Sequence, residues 1–128
     1  MENNETLILL YILFIWSVVI HTFEEISQGI FEIELGHIKM TRKKYLIAAS
    51  IITTINLGTL SLLVYGSKIG LYLAILTSST LGILQALVHS IGYFKEGRKS
   101  RNLGAGFYSS IPLALVGGIL LHTILARI

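Results

Sequence analysis

The sequence predicts an all-α integral membrane protein, a bundle of four transmembrane helices forming one domain over residues 1–128. Three observations carry this. The chain is 53% hydrophobic and only 13% charged, against about 25% charged in soluble domains, so it cannot cover a soluble surface with polar groups. It contains four separate apolar runs, each near the ~20 residues that a helix needs to cross the hydrocarbon core. The basic residues gather in two of the connecting loops.

The first run covers about 6–27, TLILLYILFIWSVVIHTFEEIS. It follows an acidic and polar start, MENNET, with neither the basic leader nor the small-residue cleavage pattern of a secretory signal, so it reads as a retained span. The second run covers about 45–65 and the third about 69–94. Gly66-Ser67-Lys68 between them is short enough to force an antiparallel helical hairpin. The fourth run, about 106–126, carries Pro112, whose ring frees the carbonyl of Tyr108 for another partner. Gly58, Gly82, Gly104, Ala105, Gly106, Gly117 and Gly118 are expected at close helix–helix approaches.

Orientation follows from the short loops. Lys39, Arg42, Lys43 and Lys44 lie between the first two spans, and Lys95, Arg98, Lys99 and Arg101 between the last two, eight of the ten basic residues. With four spans both loops fall on one side, which the positive-inside rule makes cytoplasmic, with both termini outside. The expected location is the cell membrane, multi-pass. The basic loops suit anionic lipid rather than nucleic acid, since there is no basic face on a soluble module.

Ionisable groups within a span are costly and point to function by default. Here they are His21, Glu24, Glu25, His89 and His122, with Gln28, Asn56 and Gln85 as neutral companions. In a ~30 Å core entered at Leu7, His21 falls roughly 7 Å inside the inner edge, near Glu24 and Glu25. The third span returns toward that edge and brings His89 to the same depth, with Gln85 one turn deeper. His122 ends near the opposite edge and is left out of the site. Residues three and four apart share a helix face, so His21, Glu24, Glu25 and Gln28 form one stripe, and Gln85 and His89 another.

The chain has no cysteine, which removes thiolate ligands. Histidine and carboxylate donors suit zinc, iron or manganese. The candidate ligands are His21, Glu25 and His89, with Glu24 and Glu25 as the candidate catalytic acids and bases. Gln85 and Tyr108 are candidates to bond those ligands, and Asn56, near the middle of its span, reaches them only through an intermediary. The competing reading has the acid pair near the interface, solvated or paired with Lys39, Arg42 or Lys43. Tyr65, Tyr72, Tyr93 and Tyr108 fall where an aromatic belt is expected.

The segment HTFEE, His21 to Glu25, on the first of four spans, resembles the motif of the HXXEE family of small prokaryotic membrane proteins. The later stretch LQALVHSIGYFKEGRKSRNLGAGFYSSIPLALVGG is similar to that family as well. The resemblance implies a four-span fold with His21, Glu24, Glu25 and His89 as a set, and it implies no reaction. Gln85 stands where the family tends to have Asn, and Arg101-Asn102-Leu103-Gly104 where it tends to have a Tyr-x-Pro-Gly turn.

Three functions are compatible with these residues: a metal-dependent membrane enzyme acting near the cytoplasmic interface on a lipid or apolar substrate, a small oligomeric transporter or proton-linked carrier, and an accessory subunit whose polar set only locks helices together. A glutamic membrane protease is excluded, because Ile26-Ser27-Gln28-Gly29 supplies no arginine after the acid pair.

Overall fold

A computed structural model describes residues 4–29, 34–35, 37–96 and 104–128. Helix α1 spans Asn4–Ser27, α2 Arg42–Val64, α3 Lys68–Thr77, α4 Gln85–Glu96 and α5 Phe107–Leu125. A π-helical segment, Ser78–Leu84, joins α3 to α4 end to end. Among the described residues, Asn4–Ser27, Arg42–Val64, Lys68–Lys95 and Phe107–Leu125 are four helices long and apolar enough to cross a membrane. The expected runs match these within a few residues. Arg98, Lys99, Arg101, Asn102 and Leu103 lie outside the described residues.

The helix ends follow from local chemistry. Gly29, at φ +76°, ends α1, and its N–H donates to Ile26 O at 3.2 Å. Thr41 Oγ1 caps α2 by accepting from Lys44 N at 3.3 Å. Gly66, at φ +69°, ends α2 in a Schellman turn, with Ser67 N donating to Leu62 O at 2.9 Å and Gly66 N to Leu63 O at 3.0 Å. That turn makes the expected hairpin of α2 and α3. A feature absent from the sequence reading lies between α1 and α2. There β1, Glu34–Leu35, pairs antiparallel with β2, Ile38–Lys39.

Three hydroxyls line the start of the π segment. Ser78 Oγ donates to Ala74 O, Ser79 Oγ to Ile75 O and Thr80 Oγ1 to Leu76 O, each at 2.7 Å. These hydroxyls bond the carbonyls four residues back, as Ser and Thr side chains do elsewhere in these helices, Ser50 and Thr53 of α2 among them. A π turn holds an extra residue, so the face presented by α4 is rotated relative to an uninterrupted α-helix. Gln85, the first residue of α4, and His89 one turn later sit on that rotated face.

The core is built around α1 and α5. Leu7, Tyr11 and Phe14 of α1 pack with Leu63, Ala74, Leu113, Leu120 and Ile124. Gly82 and Gly117 let the π segment and α5 meet, since a Cβ on Gly82 would stand 3.2 Å from Gly117 Cα. Gly58 and Gly118 have nothing within 4 Å of such a Cβ, so the expected packing role falls to Gly82, Gly104, Gly106 and Gly117 but not to these two. Large apolar side chains elsewhere point outward, Trp16, Phe23, Ile69 and Leu115 all being more than half exposed. A water-soluble monomer rarely shows such continuous apolar surface.

Candidate metal centre

The site is assembled at one end of the bundle, where α1 ends, α2 and α5 begin and α4 passes. His21 and Glu25 are four apart on α1, so both project toward the helices packed on that face. His89 arrives from α4. All three are buried, with His21 at 2%, Glu25 at 6% and His89 at 4% exposure. Glu25 Oε1 lies 3.5 Å from His21 Nε2 and 3.3 Å from His89 Nε2. The imidazole rings meet edge to face with centroids 4.8 Å apart. The ligand-capable atoms of the trio lie within 4.8 Å of one another.

The proton positions matter as much as the distances. Ser109 Oγ stands 2.9 Å from His21 Nδ1 and 3.3 Å from Gly106 O; when the hydroxyl donates to that carbonyl it accepts the Nδ1 proton, the tautomer that leaves the Nε2 lone pair directed inward. Gln85 Nε2, which is purely a donor, lies 2.8 Å from His21 Nε2 and 3.4 Å from His89 Nε2. With the amide in this orientation both Nε2 atoms accept, and two lone pairs and a carboxylate oxygen face one buried region. The Gln85 amide satisfies the two ring nitrogens, and a metal ion would take its place at the same acceptors.

Glu25 is held from its other side. Tyr45, near the start of α2, donates to Glu25 Oε2 at 2.7 Å, which leaves Oε1 for the imidazoles. Sequence reasoning missed Tyr45, although its place near the head of the second span puts it at the depth of Glu25. It missed Ser109 as well, because a serine two residues inside an apolar run carries no signal of its own. Gly106 completes the enclosure. At φ +85° it brings the chain so close that a Cβ would stand 2.7 Å from His21 Cε1 and 2.8 Å from Glu25 Cγ.

Glu24 does something else. Adjacent helical residues project about 100° apart, so the two glutamates cannot share one target. Glu24 Oε2 accepts from Ser109 N at 2.7 Å, and Oε1 accepts from Gln28 Nε2 at 2.9 Å. Gln28 Oε1 in turn accepts from Gly106 N at 2.8 Å. These bonds satisfy free N–H groups at the N-terminus of α5 and place a carboxylate at its positive end. The expected catalytic candidate is thus engaged in holding α5 against α1.

The remaining expected members lie elsewhere. Asn56 is buried deeper in the bundle, where its Oδ1 accepts from Tyr11 OH at 2.9 Å. Tyr11 OH also meets Thr77 Oγ1 at 3.0 Å, so Asn56 serves a separate polar link among α1, α2 and α3. Tyr108 is exposed, with its hydroxyl 3.3 Å from that of Tyr93. It belongs to an aromatic group in which Tyr93 stacks on Phe107 at 4.1 Å. His122 is exposed in the last turns of α5, apart from the trio, as expected. The solvated reading of the acid pair fails for Glu25, whose partners are two imidazoles and a phenol.

A cavity of about 210 Å³ opens between α1 and α2 beside the trio. Its walls are mainly apolar, with His21, Glu25, Tyr45, Gln85, Thr22 and Thr53 as polar members.

The donor set fits a divalent ion. Tetrahedral zinc with bonds of ~2.0–2.1 Å has ligand-to-ligand edges of roughly 3.3–3.4 Å; the two His–Glu separations, 3.5 and 3.3 Å, are of that size, and the trio's widest separation, 4.8 Å, would have to close by roughly 1.4 Å around an ion. Two histidines and one carboxylate, with a further position open, is a pattern shared by catalytic zinc and non-haem iron sites. No family model, curated protein or solved structure matches the chain, so the functional reading rests on this geometry.

Proposed function

We propose that the protein is a multi-pass enzyme of the cell membrane that holds one divalent metal ion, zinc, iron or manganese, and acts on a lipid or other apolar substrate near the cytoplasmic interface. The observation that carries this reading is the convergence of His21 Nε2, His89 Nε2 and Glu25 Oε1 on one buried point. Four apolar helices and the concentration of basic residues in two loops support a topology with those loops inside and both termini outside. The resemblance of HTFEE and the later histidine segment to the HXXEE family supports the same residues as a set.

Each side chain has a stated task. His21, His89 and Glu25 would hold the ion. Ser109 fixes the His21 tautomer, and Tyr45 turns Glu25 so that one oxygen faces the imidazoles. Gln85 donates to both ring nitrogens, and its amide is placed to bond substrate oxygen once they are occupied. Glu24 and Gln28 hold the N-terminus of α5, and with it Ser109, in position. The metal, when bound, supplies Lewis acidity toward an oxygen of the substrate. The cavity beside the trio supports an apolar substrate, because most of its wall is hydrocarbon.

Elemental analysis of protein purified without chelators tests this. The reading predicts about one zinc, iron or manganese ion per chain, lost from the His21→Ala/His89→Ala pair while the helix content stays unchanged. Metal-free protein whose stability responds neither to added ions nor to chelators would remove it.

A further inference from the structure

We infer that the cavity between α1 and α2 is a lateral entry slot for the hydrocarbon chain of a single-chain lipid, whose oxygen-bearing end meets Glu25 and the two imidazoles. The inference rests on the enzyme reading above for the fate of the lipid, but not for its binding.

The slot runs along both helices. On α1 it is lined from Val18 to Glu25, and on α2 from Tyr45 to Thr53, with Leu81 and Gln85 at the back. Seven residues of helix are about 10 Å, so the slot lies along the bundle rather than across it. Its ionisable members, His21, Glu25 and Tyr45, sit with Thr22 and Gln85 toward the end that bears the basic loops. Val18, Ile52 and Leu81 make the other end mainly apolar, and the hydroxyl of Thr53 there is turned to the Ala49 carbonyl at 2.8 Å. An amphiphile standing in a membrane leaflet has the same polarity along its length.

The mouth faces the apolar outer surface of the bundle. Val19, Phe23, Ala48 and Thr53 line it and are exposed there. Ala48 and Ala49 leave room that larger side chains on α2 would fill. Near this end Tyr45 bridges the helices through Glu25 and, at 3.5 Å, the Thr22 carbonyl, so the gap is held open above a fixed contact. The cavity of about 210 Å³ takes roughly seven groups the size of a water molecule. A methylene is close to that size, so part of one chain fits and two side by side do not; a phospholipid, whose two chains leave one headgroup together, would have to part them to enter. The surrounding bilayer supplies the occupant directly, with no aqueous transfer.

The test uses the full chain in phosphatidylcholine vesicles. One arm contains a photoreactive hexadecanol with a diazirine in the half of the chain near the hydroxyl, the other a diazirine phosphatidylcholine. Labelled residues are mapped by mass spectrometry. Hexadecanol is expected to label Val18, Ile52 and Leu81 in preference to the outward-facing Trp16 and Leu115. The phosphatidylcholine is expected to label only the outward-facing pair.

Ala49→Phe places a ring in the slot and should lower the hexadecanol labelling there about tenfold, leaving Trp16 and Leu115 within about twofold. If that variant proves unstable in detergent, Ala48→Trp closes the mouth from outside with the same expected result. Hexadecanol labelling spread evenly over Leu81, Trp16 and Leu115, or slot labelling by the two-chain lipid, overturns the inference on the unaltered protein alone. Labelling reports occupancy and not turnover. A labelled slot in metal-free protein therefore keeps this inference and removes the enzyme reading, and an unlabelled slot in metal-loaded protein does the reverse.

Discussion

Tyr45 donates a 2.7 Å hydrogen bond to Glu25 Oε2, and by doing so decides which carboxylate oxygen faces His21 and His89. The bond joins the head of α2 to the end of α1, across the segment that carries the β1–β2 pair. Removing the hydroxyl should leave the fold intact and loosen the ligand. Partners that orient a metal ligand are typically worth 10–100-fold in affinity. Tyr45→Phe is therefore expected to weaken metal binding by roughly 10–100-fold, read by competition with a chromophoric chelator. Unchanged affinity would mean that Glu25 is not held by this bond or is not a ligand.

Ser109 should act through His21 alone. Its hydroxyl stands 2.9 Å from Nδ1, and accepting the proton there keeps Nε2 free to bind. Ser109→Ala removes that acceptor, so the imidazole redistributes between tautomers. Metal affinity is expected to fall about tenfold or more, and the nitrogen-15 signals of His21 to shift toward a mixed tautomer. Ser109→Thr keeps a hydroxyl and should restore both.

The two glutamates, neighbours in sequence, should separate cleanly. Glu25→Gln replaces the anionic oxygen among the imidazoles and is expected to abolish metal loading while the helices persist. Glu24→Gln keeps one acceptor for Ser109 N but weakens a charge-assisted bond at a helix N-terminus. Its expected cost is about 1–2 kcal/mol in detergent unfolding with metal still bound. Equal loss of metal in both variants would contradict the division of labour between them.

That division was only half legible in the sequence. Run length and low charge gave away four helices long and apolar enough to cross a membrane, and the i, i+4 spacing of His21 and Glu25 put them on one face. Depth counting brought His89 to the same level, because a helix rises by a fixed step per residue. Spacing could not choose between Glu24 and Glu25, which flank the same face. The choice depends on where α5 starts, and so on Gly106 and Ser109, residues without ionisable groups. The π segment was hidden as well, since Ser78, Ser79 and Thr80 bond backward just as Ser50, Thr53 and Thr54 do in the regular helix α2. Asn56 went to Tyr11, whose hydroxyl also meets Thr77, because a partner at mid-span satisfied it.

Gly106 gives a steric test of the enclosure. At φ +85° its Cβ would fall within 2.8 Å of both His21 and Glu25 side chains. Gly106→Ala combines a left-handed backbone with overpacking and should cost about 3 kcal/mol or more. Gly118→Ala, where nothing lies within 4 Å of the added carbon, should stay within about 0.5 kcal/mol. Equal effects in thermal unfolding would show that the 106–109 turn does not close on the trio.

The central claim is that two imidazoles and one carboxylate hold a single ion, and X-ray absorption at the edge of the bound metal tests it most directly. The account predicts two nitrogen ligands from imidazole and one carboxylate oxygen at about 2.0–2.2 Å in the unaltered protein, with one imidazole lost from the His89→Ala spectrum. A first shell of oxygen alone, or one that His89→Ala leaves unchanged, would contradict it.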